Sequence, residues 1–146
     1  MARNQKDQTY DHELRLKDAG LIAADGAAQV GGSDKILDLG ASRVDGRVII
    51  DVTAIEVATG DESYRIKTQF SNSATFASGV IGGPQLHLGD SSVLIGESAD
   101  SVVGRYELPF TNEINGTTYR YMRLYTDVAG TIATGINYVA NVQIAA

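Results

Sequence analysis

The chain has 146 residues, with 12 basic and 18 acidic side chains for a net charge of −6, sixteen glycines, two prolines and no cysteine. That is the length of one domain, and its 37 Ile, Leu, Val and Phe side chains lift it above the apolar content of roughly 20% below which chains stay unfolded. The lack of cysteine excludes disulfides, thiolate metal sites and cysteine nucleophiles, the acidic balance argues against general binding to nucleic acid, and no run nears the roughly 18 apolar residues of a membrane-spanning helix.

In chain order, Met1–Gln8 are polar and lack the apolar centre of a signal peptide. Residues 1–13 are expected to form an extended N-terminal arm carrying Arg3, Lys6 and Tyr10, either a loose terminus or a segment that orders against a partner. Residues 14–146 are expected to form one domain. From Tyr10 to Ala19, Tyr10, His12, Leu14 and Leu16 alternate with Asp11, Glu13, Arg15 and Lys17, which favours a strand with Lys17 facing out. The pairs Asp11/Arg15 and Glu13/Lys17 leave a helix open there.

Period-two alternation then recurs. Along Arg47–Val57 the apolar set Val48, Ile50, Val52 and Ala54 changes phase to Ile55 and Val57, which predicts either a bulge near Ala54 or a strand buried on both faces. Tyr64, Ile66, Thr68 and Phe70 share one face of the next strand, and residues 71–79 fit a short helical turn with Ser73 as N-cap and Gly79 past its end. Leu86 and Leu88 place His87 on the outer side. After the polar stretch 89–104 come Tyr106, Leu108 and Phe110, then Met122 and Leu124, then Tyr138, Ala140, Val142 and Ile144. Turns are predicted at Asp25-Gly26, Gly31-Gly32, Asp45-Gly46, Thr59-Gly60-Asp61, Gly82-Gly83-Pro84, Gly89-Asp90, Asn115-Gly116 and Ala129-Gly130. Seven to nine short antiparallel strands in one domain describe an all-β protein, a two-sheet sandwich or a small barrel.

Patterns for catalysis are missing. Gly79–Gly83 lacks the Lys-Ser/Thr of a phosphate loop, the turn aspartates do not follow calcium-loop spacing, and no Gly-x-Ser-x-Gly elbow occurs. His12 and His87 are isolated, and Asn115-Gly116-Thr117 reads as a hairpin turn rather than a glycosylation site. The expectation is no catalytic site, no cofactor and no metal. The stripe Tyr119, Tyr121, Arg123, Tyr125 differs, because Tyr and Arg are enriched where proteins touch partners. It fits either a covered structural face or a contact surface. Together with Arg3, Lys6, Tyr10 and Arg15 it makes up the candidate partner contacts.

Three stretches suggest a family. Leu16-Lys17-Asp18-Ala19 followed by Ile36-Leu37-Asp38-Leu39-Gly40-Ala41, then Tyr64–Phe70 with Ser71–Phe76, then Tyr119-Arg120-Tyr121-Met122-Arg123-Leu124, resemble jelly-roll capsid cement (decoration) proteins of tailed bacteriophages. The resemblance runs from about Leu14 to Ile144. It implies a jelly-roll sandwich with no catalytic role, a structural virion protein made in the host cytoplasm that sits on the outer surface of the capsid. Such a protein ties neighbouring subunits of the major capsid protein together without covalent bonds, as a homo-oligomer (dimer or trimer), with no nucleic-acid or membrane partner. On that reading, the arm and one sheet edge or loop end make the contacts. The alternative is a lectin-like or fibre-associated carbohydrate-binding jelly roll, which needs exposed aromatic platforms and often calcium; the absence of Trp places it second.

Overall fold

The glycine-punctuated, alternating pattern folds into two facing antiparallel sheets. The computed structural model describes residues 14–89 and 102–144; the expected arm, with Arg3, Lys6, Tyr10 and His12, lies outside them. Eight strands carry the architecture: β1 (Arg15–Lys17), β2 (Gly26–Ala27), β3 (Asp45–Ile55), β4 (Ser63–Ser71), β5 (Ile81–Gly89), β6 (Gly104–Thr111), β7 (Tyr121–Ala129) and β8 (Ile136–Ile144). The first sheet has the order β1–β8–β3–β6 and the second β2–β7–β4–β5. The pairs therefore nest, β4 with β5, β3 with β6, β2 with β7 and β1 with β8. A long hairpin rolled over on itself in this way is a jelly roll. Two separate sheets make the molecule a sandwich and not a barrel.

Alternation sends one side of each strand inward. Val48, Ile50 and Val52 of β3, Leu108 and Phe110 of β6, and Tyr138, Ala140 and Val142 of β8 face Tyr64, Ile66 and Phe70 of β4 and Met122 and Leu124 of β7. Burying each large side chain contributes on the order of 1.5–3 kcal/mol. The Phe70 and Phe110 rings, 6.0 Å apart, join the two layers. Polar groups in the core are matched: the hydroxyls of Thr126 and Tyr138 meet at 2.7 Å across the sheets.

The phase change in β3 is a bulge. Asn137 pairs with Ala54 but Tyr138 pairs with Val52, so Thr53 is the extra residue. A second bulge lies in β5, where Lys67 pairs with Gln85 and Gln69 with Gly82. The two prolines, Pro84 and Pro109, lie in β5 and β6, the long strands at the sheet edges, where a missing N–H is tolerated and blocks further pairing.

Several local expectations change. Gly82-Gly83-Pro84 is not a turn but part of β5; a Cβ at Gly83 would lie 2.6 Å from both the Phe70 ring and Thr68 Oγ1. Asp45-Gly46 opens β3 instead of turning, because Gly46 lets the Gln143 carbonyl approach to 2.5 Å from where a Cβ would stand. Residues 71–79 do make the expected single turn: Phe76 N–H bonds the Ser73 carbonyl at 3.1 Å, the Ser73 hydroxyl accepts from Ala77 N–H at 3.2 Å, and Gly79 follows with φ of 63°. Asn115-Gly116, with φ of 53° and 80°, does make the expected hairpin, between Glu113–Ile114 and Thr117–Thr118. Lys17 belongs to a strand, as expected, but is buried and not outward. Arg15 pairs with Asn141 and Lys17 with Ala140, so a bulge in β1 breaks the alternation that would have turned Lys17 to solvent.

Candidate functional site

The register of the second sheet assembles a face that no single strand reveals. Tyr121, Arg123, Tyr125 and Asp127 of β7 lie opposite Ser71, Gln69, Lys67 and Arg65 of β4. Arg65 and Lys67 in turn lie opposite His87 and Gln85 of β5. Except for Ser71, which is buried, the β7 and β4 residues of this set point away from the core, because their strand neighbours Met122, Leu124 and Thr126 on β7 and Ile66, Thr68 and Phe70 on β4 are buried.

Arg123 is the centre of this face. Its Nε donates to Gln69 Oε1 at 2.8 Å, and its guanidinium lies 4.5 Å from the centre of the Phe76 ring and 5.7 Å from that of Tyr125. Phe76 comes from the loop after β4 and is only 8% exposed. Its φ of 56° is unusual for a bulky residue, since the Cβ crowds the backbone there. At one end of the face Arg120 forms a bidentate ion pair with Asp38, both contacts 2.9 Å, and lies 5.4 Å from the Tyr121 ring centre. Toward the other end Lys67 pairs with Asp127, and the Ser63 hydroxyl meets His87 Nε2 at 2.7 Å. Burial, with Arg65 nearby, holds His87 below the usual histidine value and so neutral at pH 7. Among the described residues no carboxylate hydrogen-bonds this imidazole.

Charge separates the two outer faces. Among the described residues the second sheet and its margin present Arg65, Lys67, Arg120 and Arg123 against Asp38 and Asp127. On the first sheet Arg15, Arg47 and Arg105 are balanced by Asp45, Asp51 and Glu107. There Arg105 grips Asp51 at 2.7 Å and Arg47 grips Glu107 at 3.1 Å.

The expected contact residues do not all converge. Tyr121, Arg123 and Tyr125 share the outer face of the second sheet. Tyr119 precedes β7 and packs partly against the core. Arg15 lies on the other sheet, its Nε 3.4 Å from Asn141 Oδ1 and its Nη1 3.3 Å from Asp18. Phe76, Gln69 and Lys67 belong to the face but escaped the sequence reading. Strand alternation does set Gln69 and Lys67 on the outer side of β4, without marking them as contacts; nothing local announces that Phe76 folds back beneath Arg123.

Acidic side chains elsewhere are engaged with backbone. Glu56 accepts N–H bonds from Ala133, Thr134 and Gly135 at 2.7–3.1 Å, and Asp61 accepts from Thr131 N–H at 3.0 Å and its hydroxyl at 2.8 Å. Buried Glu62 accepts from Thr59, Gly60 and Asp61. Among the described residues no three His, Asp or Glu side chains are grouped to hold a metal ion. A groove of about 500 Å³ beside β1 is lined by Lys17, Asp18, Leu21, Ile22, Ala28 and Gln29. No helix among the described residues is long and apolar enough to cross a membrane.

Fold and face together define a jelly-roll β-sandwich with one cationic, aromatic sheet surface. No family model matches the chain, and no curated protein matches it. Among solved structures it is similar to the N-terminal endo-1,4-β-D-xylanase 10B of Clostridium thermocellum, a structure of CBM22-1 and GH10 modules complexed with xylohexaose. The TM-score is 0.39 and the identity 10%, over 94% of this chain and 28% of that one.

Proposed function

We propose that the protein acts by adhesion and not catalysis, as a capsid cement protein that seats on the outside of a phage head and joins neighbouring major capsid subunits. The observation that carries this reading is the Tyr121–Arg123–Tyr125 face, half-buried side chains held in fixed orientation on a rigid sheet. Large planar side chains with a polar end are what a protein interface needs at its centre. The resemblance along Leu14–Ile144 supplies the partner. A clamp that touches two subunits makes its second contact effectively intramolecular, so individually weak patches add to firm attachment. The test uses purified heads with and without the protein. The expected result is a density for this chain bridging two capsid subunits in electron cryomicroscopy, and heads that rupture at lower temperature once stripped of it. Heads whose stability and composition do not depend on the protein would refute the reading.

The same face also supports a second reading, carbohydrate binding, because Tyr121 and Tyr125 lie four residues apart on one face of one strand, roughly 13 Å at the usual rise, and offer two rings for stacking on separate sugars of one chain. A saturable glycan-array signal abolished by Tyr125→Ala, together with heads indifferent to the protein, would favour this second reading over the first.

A further inference from the structure

We infer that Arg123 is the anchor of the docking face, and that its guanidinium receives an aspartate or glutamate carboxylate from an acidic protein surface. The inference deepens the adhesive reading above, on which it rests for the partner's being a protein.

Three features set Arg123 apart. Its Nε is engaged with Gln69, which fixes the rotation of the guanidinium, while neither Nη atom has a hydrogen-bond or ion-pair partner among the described residues. Its plane rests on Phe76, so the group is held in place before any ligand arrives. The loop that supplies Phe76 is fastened for the purpose: Ser71 Oγ donates to the Ser78 carbonyl at 2.8 Å, and Ser73 accepts from both Phe76 and Ala77 N–H groups. A bulky side chain kept at positive φ is strained, and these bonds must offset that strain. An oriented guanidinium with both Nη groups open is the geometry that receives a carboxylate through two parallel bonds. Because the side chain is already ordered, little conformational entropy remains to be lost on binding.

Charge selects the partner. The neighbouring Lys67 is already paired with Asp127 and Arg120 with Asp38, while Arg65 adds exposed positive charge four register positions along the sheet. The face is cationic on a chain of net charge −6, so it complements an acidic surface while the rest of the molecule repels one, which fixes orientation on approach.

The experiment compares the full-length protein with R123Q and R123K, each first shown by thermal melting to be folded. In one arm, isotope-labelled protein is titrated with hexaglutamate, with hexalysine as control, and followed by NMR. In the other, the same proteins are added to heads that lack them. Saturable shifts at Gln69, Phe76 and Arg123 with hexaglutamate alone, absent in R123Q, are expected. Head binding should be weaker by roughly tenfold or more in R123Q and also in R123K, which keeps the charge but not the fork. Hexaglutamate binding that survives R123Q, or equal filling of heads by R123Q and the native protein, overturns the inference. Native protein that responds to hexaglutamate through Arg123 yet ignores heads keeps the carboxylate site and removes the capsid reading. Native protein that binds neither overturns both.

Discussion

At Lys17 a single charge organises one corner of the sandwich. Its ammonium donates to the carbonyls of Asp18, Gly20 and Tyr138 at 2.9, 3.0 and 2.8 Å and lies 4.5 Å from the Tyr138 ring centre. Burial pushes its pKa down to about 8, with Asp18 pulling the other way. Lys17→Met keeps the packing of the stem but removes all three donors. Since a buried polar group without a partner costs about 1–3 kcal/mol, urea denaturation should show a loss of roughly 2–4 kcal/mol. Arg105→Ala breaks an exposed ion pair of shorter contact distance, 2.7 Å to Asp51, and should change stability by less than about 1 kcal/mol. Burial, not bond length, separates the two cases. Leu124, fully buried between the sheets, sets the apolar scale: Leu124→Ala should cost about 2–5 kcal/mol through lost burial and the cavity left behind.

Among the elements, the loops at one end of the sandwich depend on ionised carboxylates. Backbone N–H groups of Gly135 and Thr134 hold Glu56 below the usual glutamate value, and the Thr131 N–H does the same for Asp61. For Glu62 burial acts upward, but the N–H groups around Thr59 outweigh it and the net shift is again downward. Carboxyls whose folded pKa is depressed contribute fully above their unfolded values, 4.5 for Glu and 3.8 for Asp, and the contribution disappears as pH falls further. His87, also depressed, adds an earlier decline that begins near its unfolded value of 6.5. Urea melts from pH 2.5 to 8 should therefore show a gradual rise from pH 7 toward 8 as Lys17 begins to lose its proton, a slight decline as pH falls below about 6.5, and a steep drop below about 4.5. Glu56→Gln should lower stability at pH 7 and make the acid limb shallower; an unchanged limb would mean that this loop does not carry the acid sensitivity. The layers behind these loops were legible in the sequence. Alternation identified the inward sets of β4, β6 and β7, because a period of two leaves one side of each strand in the core, and the phase change at Ala54 left a bulge or a doubly covered strand, of which the β8 register shows the bulge. Less visible was whatever a distant strand decides. Gly46 and Gly83 read as turn glycines, yet each is small to admit the Gln143 carbonyl or the Phe70 ring. Lys17 turned inward through a bulge in β1, and Phe76 found Arg123 across a loop. The shared phase of Tyr121, Arg123 and Tyr125 on β7 was legible, but whether that face was covered or open was not, and its partners on β4 and the loop come only from register.

On the scale of the whole molecule, the nested pairing places the two ends of the described chain side by side, Arg15 opposite Asn141. Contacts so distant in sequence close late and at an entropic cost, so the β1–β8 pair is a seam on which the sandwich depends. Leu16, fully buried, and Lys17 are the residues that hold it. This separates two truncations. Removing residues 2–13 leaves Leu16, Lys17 and their partners in place, so the midpoint of urea denaturation should shift by less than the equivalent of about 1 kcal/mol, while attachment to heads weakens if the arm makes contacts there. Removing residues 2–18 takes away a buried leucine and the three-carbonyl clamp together, and a loss of several kcal/mol is expected. Circular dichroism melts of both proteins, alongside head occupancy, read the two effects independently. A truncation to residue 13 that unfolds the protein would show that the sandwich extends beyond β1, and one that fills heads as well as the full chain would leave adhesion to the cationic face of the second sheet.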